Sequence, residues 1–191
     1  MIVKKLSKLE KELYEVLIED KSYIFDEASV LKFRLFEGYE ISTTDLEACI
    51  KADEFERIKK KAYHYYVRYQ KNSYEIIAYL TDREVSYPLA KEAVLELKQQ
   101  GLLKEEELAF GIASRLARNS NGPMMIRYKL KLKHFPEEII QSVLEKISEE
   151  DIEEGKQKLI NKLVKKNSKL SSYEQQQKRK EAFYRHGYFE G

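Results

Sequence analysis

Apolar residues recur at helical spacing along much of the 191-residue chain, and one such stripe occurs twice. Its five positions run i, i+1, i+4, i+5 and i+8, which places them on one face of a helix. The two copies, 50 residues apart, are Leu89, Ala90, Ala93, Val94, Leu97 and Ile139, Ile140, Val143, Leu144, Ile147. Pro88 and Pro136 stand near the two starts, where a missing backbone N–H costs nothing, and Gly101 follows the first copy. The stripe predicts two equivalent helices.

Two further segments also recur 50 residues later in the sequence, which indicates an internal repeat. The aligned sets are Ile76, Leu80, Val85 with Ile126, Leu130, Phe135, and Ala62, Tyr63, Tyr66, Val67 with Ile112, Ala113, Leu116, Ala117. A weaker third copy, at shifts of 47 and 53, comprises Leu159, Ile160, Leu163, Val164 and then Phe183, Tyr188. Three helical segments therefore recur in order, and the chain stops where the third copy's final helix should begin.

The stretch RYKLKLKHF, residues 127–135, alternates cations with apolar residues as a half-buried strand does. Its counterpart SYEIIAYL, however, carries Ile76, Ile77 and Leu80 at helical spacing after a capping serine. The repeat therefore predicts a helix that begins near Gly122-Pro123.

The first 52 residues differ from the repeats. Residues 14–18 and 23–25 alternate as two short strands, with Asp20-Lys21 as the turn of a β-hairpin. A short helix ending near Gly38 is expected next. Ser42, Thr43 or Thr44 can then cap a helix over DLEACIKA, and a longer helix is expected over residues 54–71.

These patterns predict a mainly α fold, an elongated stack of three tandem three-helix repeats behind a small β-hairpin-plus-helix amino-terminal region. We place that region at residues 1–52 and the repeats at 53–103, 104–148 and 149–191, the last without its final helix. The apolar stripes put Phe110 and Leu130 in the core of the second repeat.

Composition agrees with an extended, helix-rich molecule. The chain is 42% hydrophobic but 36% charged, and its mean hydropathy is −0.63. Its single cysteine, Cys49, excludes an internal disulfide and the usual thiolate zinc sites, and it fits a small core residue in a reducing compartment. No apolar run approaches membrane-spanning length, so a cytoplasmic protein is expected.

The net charge of +2 conceals a polarity along the chain. Residues 1–55 hold 8 basic and 13 acidic residues, whereas residues 155–191 hold 10 basic and 3 acidic. Such asymmetry favours an acidic partner such as nucleic acid, although a solvated lysine-rich surface explains charge alone equally well. The candidate binding residues are Arg118, Arg127, Lys129, Lys131, Lys133, Lys162, Lys165, Lys166, Lys169, Lys178 and Arg179. We expect those of residues 127–133 to form one compact outward patch.

No enzymatic constellation is evident. The sequence lacks a glycine-rich phosphate loop and the HExxH, CxxC and GxSxG motifs, and its three histidines are far apart. In AYHYYVRY, Tyr66 and Tyr69 are expected in the core, which leaves Tyr65 as a candidate for base stacking. No catalytic residue, metal or cofactor is predicted.

Several segments resemble the bacterial RecX regulatory proteins. They are RYQKNSYEIIAYL, the stretch from AVLELKQQGLL to KLKLKHF, and KRKEAFYRHGYF, with Gly101, Ala109-Phe110, Gly122-Pro123 and Gly187-Tyr188 as the most specific matches. The resemblance covers most of the chain. It departs from the family pattern at His134-Phe135, where a glycine-containing turn is usual, and at Glu106 and Glu107, where an aspartate is usual.

The resemblance implies a non-enzymatic modulator of the RecA recombinase. Such a protein would bind, as a monomer, the RecA filament on single-stranded DNA and inhibit its ATPase, strand-exchange and co-protease activities, and so regulate recombination, repair and the SOS response. Weak binding to free DNA is a further expectation.

Two alternatives stay open. Three-helix units with a basic second or third helix also fit a helix-turn-helix regulator of duplex DNA, although lysines attract phosphate without reading bases. A protein-only adaptor with solvated charge is the other.

Overall fold

A computed structural model describes residues 1–10 and 12–188, and over these residues a small sheet precedes nine helices. The strands are β1 (Val3–Lys8), β2 (Leu13–Ile18) and β3 (Lys21–Asp26). The helices are α1 (Glu27–Lys32), α2 (Thr43–Tyr69), α3 (Ser73–Thr81), α4 (Tyr87–Gln99), α5 (Glu105–Arg118), α6 (Pro123–Leu132), α7 (Glu137–Lys146), α8 (Glu149–Lys166) and α9 (Ser172–His186). The mainly helical fold class is confirmed.

The chain forms two compact units. One comprises residues 1–68 and 77–100, and the other comprises residues 69–76 and the chain from Gly101 onwards. The division into an amino-terminal region and three repeats at the predicted boundaries stays a prediction.

The sheet is antiparallel with β2 at its centre. Strands β2 and β3 form the predicted hairpin, but Ile18 pairs with Lys21. The turn is therefore Glu19-Asp20, one residue earlier than predicted, and Glu19 adopts a left-handed φ of +50°. The sequence does not predict β1, because VKKLSK lacks strand alternation. Pairing with β2 is what makes this segment a strand.

A first hydrophobic core lies between the sheet and the helices that follow it. Val3, Val16, Ile18 and Phe25 pack with residues from α1, α2 and the loop between them. Cys49 belongs to this core, and burial, assisted by the charge of Asp53, raises the pKa of its thiol to about 11. The thiol stays protonated at neutral pH, as a core residue does.

Helix α2 corrects the prediction of two separate helices. Ser42 caps it, with the Asp45 amide donating to Ser42 Oγ at 3.0 Å, and it continues without a break to Tyr69. The apolar stripe is interrupted at Asp53, which is nevertheless buried. Asp53 accepts a hydrogen bond from the Asp26 amide at 2.8 Å and pairs with Arg57 Nε at 2.8 Å. A satisfied polar group therefore occupies a core position that the hydrophobic pattern could not reveal. The preceding helix α1 also ends at Lys32, earlier than the predicted end near Gly38.

The repeat is visible in the backbone at the end of each second helix, α3, α6 and α9. Each helix is followed by a residue in the left-handed conformation: Glu84 at φ +66°, His134 at +59° and Gly187 at +75°. The next amide always donates to the carbonyl five residues back, at 3.3 Å for Val85, 3.2 Å for Phe135 and 2.9 Å for Tyr188. This is the Schellman pairing that ends helices. The shifts of 50 and 53 residues are thus confirmed, and residues 127–132 are helical.

The core of the second repeat lies between α5, α6 and α7. Ile126, Leu130 and Ile140 are fully buried in it, which confirms the prediction for Leu130. The prediction for Phe110 is wrong, because its side chain is 39% exposed. The inner face of α5 is a row of alanines at i, i+4 and i+8, Ala109, Ala113 and Ala117. Phe110 lies about 100° around the helix from this row.

The third repeat contributes α8 and α9. Ser171 and Glu174 form a capping box at the start of α9. The prediction that the final helix is missing concerns the chain after Tyr188, and Phe189, Glu190 and Gly191 lie outside the described residues. Among the helices at residues 1–10 and 12–188, none combines the length and apolarity that a membrane span requires.

Two alanine substitutions test the register of the second repeat. Leu130→Ala should lower the free energy of unfolding by about 2–5 kcal/mol, because it opens a cavity in a packed core. Phe110→Ala should cost about 1 kcal/mol or less, because much of the ring is already in water. Urea unfolding followed by circular dichroism measures both. Equal losses would mean that the assigned faces of α5 are wrong.

Candidate interaction surface

The second and third repeats meet backbone to backbone at two glycines. The Gly122 amide donates to the His186 carbonyl at 2.7 Å, and the Met124 amide lies 3.4 Å from the Gly187 carbonyl oxygen. A Cβ on Gly122 would overlap the Gly187 carbonyl, and one on Gly187 would overlap the Met125 backbone. The start of α6 therefore rests directly on the turn after α9.

A third glycine brings α8 against α5. A Cβ on Gly155 would overlap the carbonyl oxygen of Ala117. Ser120 follows Ala117 closely in the sequence, and its carbonyl oxygen lies 2.6 Å from Nδ1 of His186 in α9. The Gly155 contact therefore holds α8, with its basic carboxy-terminal half, against α5.

The start of α3 makes the corresponding contact with the turn after α6. Asn72, at the position equivalent to Gly122, is buried and donates through Nδ2 to the Lys133 carbonyl. The ring of Tyr74 stacks on His134 with centroids 3.8 Å apart. The left-handed His134 is therefore held by an aromatic contact where the family pattern has a glycine-containing turn.

Two of the four cations predicted as a patch on α6 are tied to neighbouring segments. Arg127 donates to Gln141 Oε1 at 2.6 Å and pairs with Glu137 at 3.2 Å, both on α7 or at its start. Lys129 Nζ donates to Asn121 Oδ1 at 2.7 Å. Asn121 in turn donates to two carbonyls at the end of α5. These two cations contact neighbouring segments on both flanks of α6. That the four cations together bind a partner stays a prediction.

Lys131 and Lys133 are exposed. Lys133 lies close enough to Glu75 to influence its ionisation. Burial opposes ionisation of Glu75, but hydrogen bonds from Lys71 and Asn72 and the charges of Lys71 and Lys133 lower the pKa of its carboxyl below the ordinary value. Lys131 has no hydrogen-bond or ion-pair partner within residues 1–10 and 12–188.

Four lysines follow one another at the carboxy-terminal end of α8 and in the turn after it, and we call them the distal lysines. They are Lys162, Lys165, Lys166 and Lys169. All four are exposed, and in the described part of the chain none is paired with a carboxylate. The acidic residues of α8 lie at its amino-terminal end, where the helix dipole favours negative charge. The carboxy-terminal end of α8 therefore presents exposed cations that can bind an anion.

The remaining candidates are engaged within the fold. Arg118 pairs with Asp151 at 3.1 Å, and Lys178 pairs with Glu181 at 3.1 Å. The guanidinium of Arg179 lies 5.6 Å from the centre of the Phe183 ring. These partners reduce what each cation can offer to a ligand, although the pairs are on the surface and individually weak.

One exposed feature of α6 was not predicted from the sequence. Met124, Tyr128 and Leu132, which we call the outer row, point to solvent at i, i+4 and i+8. Their spacing is legible in the sequence but was hidden by the alternating lysines. Tyr65, the predicted stacking candidate, instead lies against Tyr79 with ring centroids 3.8 Å apart.

Within the described residues there is no group of three or more histidine, cysteine or carboxylate side chains placed to hold a metal ion. The surface that remains is cationic at the distal lysines and apolar at the outer row.

The chain is similar to known regulatory proteins. No protein-family model matches the chain. The regulatory protein RecX of Lactobacillus gasseri is 28% identical over 191 residues, covering 98% of the chain and 70% of that protein. The regulatory protein RecX of Bacillus subtilis is 26% identical over 179 residues, covering 93% of the chain and 68% of that protein. The chain is thus similar to regulatory proteins RecX over nearly its whole length.

A crystal structure of a regulatory protein RecX shares the fold. It superposes with a TM-score of 0.81 over 98% of this chain and 94% of that one, at 22% sequence identity. The glycines that carry the RecX resemblance, Gly122 and Gly187, lie where the repeats of this chain pack together. Packing therefore explains these two of the most specific RecX-like positions. The relatives are named for regulation, not for a reaction.

A pair of glycine substitutions tests the contact between α8 and α5. Gly155→Ala should destabilise the protein strongly, because its Cβ would collide with a backbone carbonyl that cannot move aside. Gly111→Ala, in an exposed part of α5 with open space around it, should stabilise by about 0.5–1 kcal/mol through helix propensity. Thermal unfolding compares the two. A Gly155 variant as stable as the Gly111 variant would contradict the described packing.

Proposed function

We propose that this chain binds the RecA recombinase filament on single-stranded DNA and inhibits its ATPase, strand-exchange and co-protease activities. It would act as a monomer in the cytoplasm and without a cofactor. Similarity to regulatory proteins RecX over nearly the whole chain is the observation that carries the proposal. The arrangement of charge supports it, because the distal lysines are exposed and have no carboxylate partner in the described part of the chain.

The distal lysines fit a filament better than a specific duplex site. An ammonium group on a flexible stem attracts phosphate as a point charge and does not read base edges. A regulator of a filament that forms on DNA of any sequence needs this kind of contact. Exposed lysines at the end of α8 can reach phosphates while the packed face of the helix stays in place.

The helix-turn-helix alternative has less support. A recognition helix reads bases with free Arg, Asn or Gln side chains. On α6 the arginine is Arg127, and its guanidinium is already bonded to Glu137 and Gln141. The other cations of α6 are lysines.

The distal lysines provide the test. Replacing Lys162, Lys165, Lys166 and Lys169 by alanine should weaken inhibition of the RecA ATPase and flatten its salt dependence. Each phosphate contact on single-stranded DNA contributes about −0.7 to the slope of log affinity against log salt. A RecA ATPase titration at several salt concentrations measures both effects.

The matched control removes four exposed lysines elsewhere, namely Lys5, Lys21, Lys51 and Lys61. It changes the net charge equally, so it should retain inhibition and the steep salt dependence. Failure of the wild-type chain to bind or inhibit the filament would overturn the proposed function. Equal effects of the two quadruple variants would show that net charge alone matters.

A further inference from the structure

Helix α6 is apolar on two opposite sides. Ile126 and Leu130 are fully buried on the inner side. On the outer side Met124, Tyr128 and Leu132 are 52%, 57% and 60% exposed. A helix with apolar residues all round is normally buried. The inner side already has its partners within the repeat, whereas each side chain of the outer row is more than half exposed.

The polar residues of α6 do not compensate for this exposure. Arg127 and Lys129 occupy the flanks and are fixed by Glu137, Gln141 and Asn121. Lys131, three residues after Tyr128, lies next to the outer row on the helix surface and has no partner in the described chain. Helix α6 contains no carboxylate. The free surface of α6 is therefore an apolar row with one unpaired cation beside it.

The other second helices show that the repeat does not require this row. The matching positions of α9, at a shift of 53, are Gln177, Glu181 and Arg185, all exposed and polar. Those of α3, at a shift of 50, are Tyr74, Ala78 and Asp82. Three large apolar side chains in this register are thus a property of α6 among the three helices. Folding of the repeat cannot account for them, because α9 folds without them.

The chemistry of the row favours a protein over nucleic acid. Bases stack on aromatic rings, and only Tyr128 of the three residues has one. Methionine and leucine at helical spacing are what an amphipathic helix places into an apolar groove. The row spans about 12 Å along the helix axis. An unpaired lysine at its edge calls for a carboxylate on the opposite surface.

We propose that the outer row of α6 docks into an apolar groove of a protein surface that presents a carboxylate to Lys131. This inference rests on the proposed function, under which that surface belongs to the RecA protein of the filament. Two parts of the chain then contact two different components of the filament. The outer row binds protein, and the distal lysines meet phosphate.

The test variant replaces Met124, Tyr128 and Leu132 by glutamine, which preserves helix propensity and exposes no new apolar surface. Its control places glutamine at three similarly exposed apolar positions elsewhere, Leu31, Tyr87 and Leu95. Circular dichroism and thermal unfolding check that both variants fold. Fluorescence anisotropy then measures binding to RecA filaments on labelled single-stranded DNA and to the same DNA alone.

We expect the α6 variant to bind the filament about tenfold or more weakly, as loss of central apolar anchors does. Its salt dependence and its binding to DNA alone should be unchanged, and the control should behave as wild type. Lys131→Glu should also weaken filament binding, because the charge opposite the carboxylate is reversed. In the alanine variant of the distal lysines, by contrast, the salt dependence of filament binding should be flattened.

The outcomes separate the two proposals. Wild-type binding together with an unaffected α6 variant would overturn this inference alone. A matching loss on DNA without RecA would assign the row to nucleic acid and overturn it as well, as would an equal loss in the control. Absence of wild-type binding to the filament would overturn the proposed function and this inference together.

Discussion

The hydrogen bond from the Gly122 amide to the His186 carbonyl joins two backbones with no side chain between them. Such a close approach is possible only because Gly122 and Gly187 lack a Cβ. With Gly155 against Ala117, it fixes α8 and α9 onto α5 and α6 at three points of hard contact. Backbone atoms cannot rotate away as side chains can, so this part of the structure tolerates little variation. The positions of the distal lysines and of α6 both follow from it.

The cations of the second and third repeats separate into two groups according to what lies next to them. Arg127 and Lys129 face acceptors on neighbouring segments and act as braces for α6. The distal lysines extend beyond the acidic end of α8 and meet no carboxylate in the described chain. Every member of both groups is a cation in the sequence. Only the second retains the freedom and the unpaired charge that binding to an anion requires.

A repeat architecture also makes unusual features recognisable, because each unit serves as a control for the others. The left-handed turn after the second helix occurs three times with glutamate, histidine or glycine, so its conformation belongs to the fold and not to one residue. Glycine adopts it without steric cost, whereas His134 is held by stacking with Tyr74. The outer row of α6, in contrast, is absent from α9, which separates it from the requirements of the repeat.

The sequence by itself determined the helical repeat, its register, the buried Ile126 and Leu130, and the helical state of RYKLKLKHF. These follow from periodicity, and periodicity is local, because residues three or four apart share a face in any α-helix. The tertiary structure alone decided that Asp53 is buried in a continuous α2, that VKKLSK pairs as β1, and that Ala109, not Phe110, faces the core. It also decided which lysines are free. Each of these depends on partners distant in the chain, such as the Asp26 amide 27 residues from Asp53 or Gln141 14 residues from Arg127. Hydrogen bonds and steric contacts act over a few ångströms in space. Local patterns in a sequence do not indicate which groups distant in the chain will come that close.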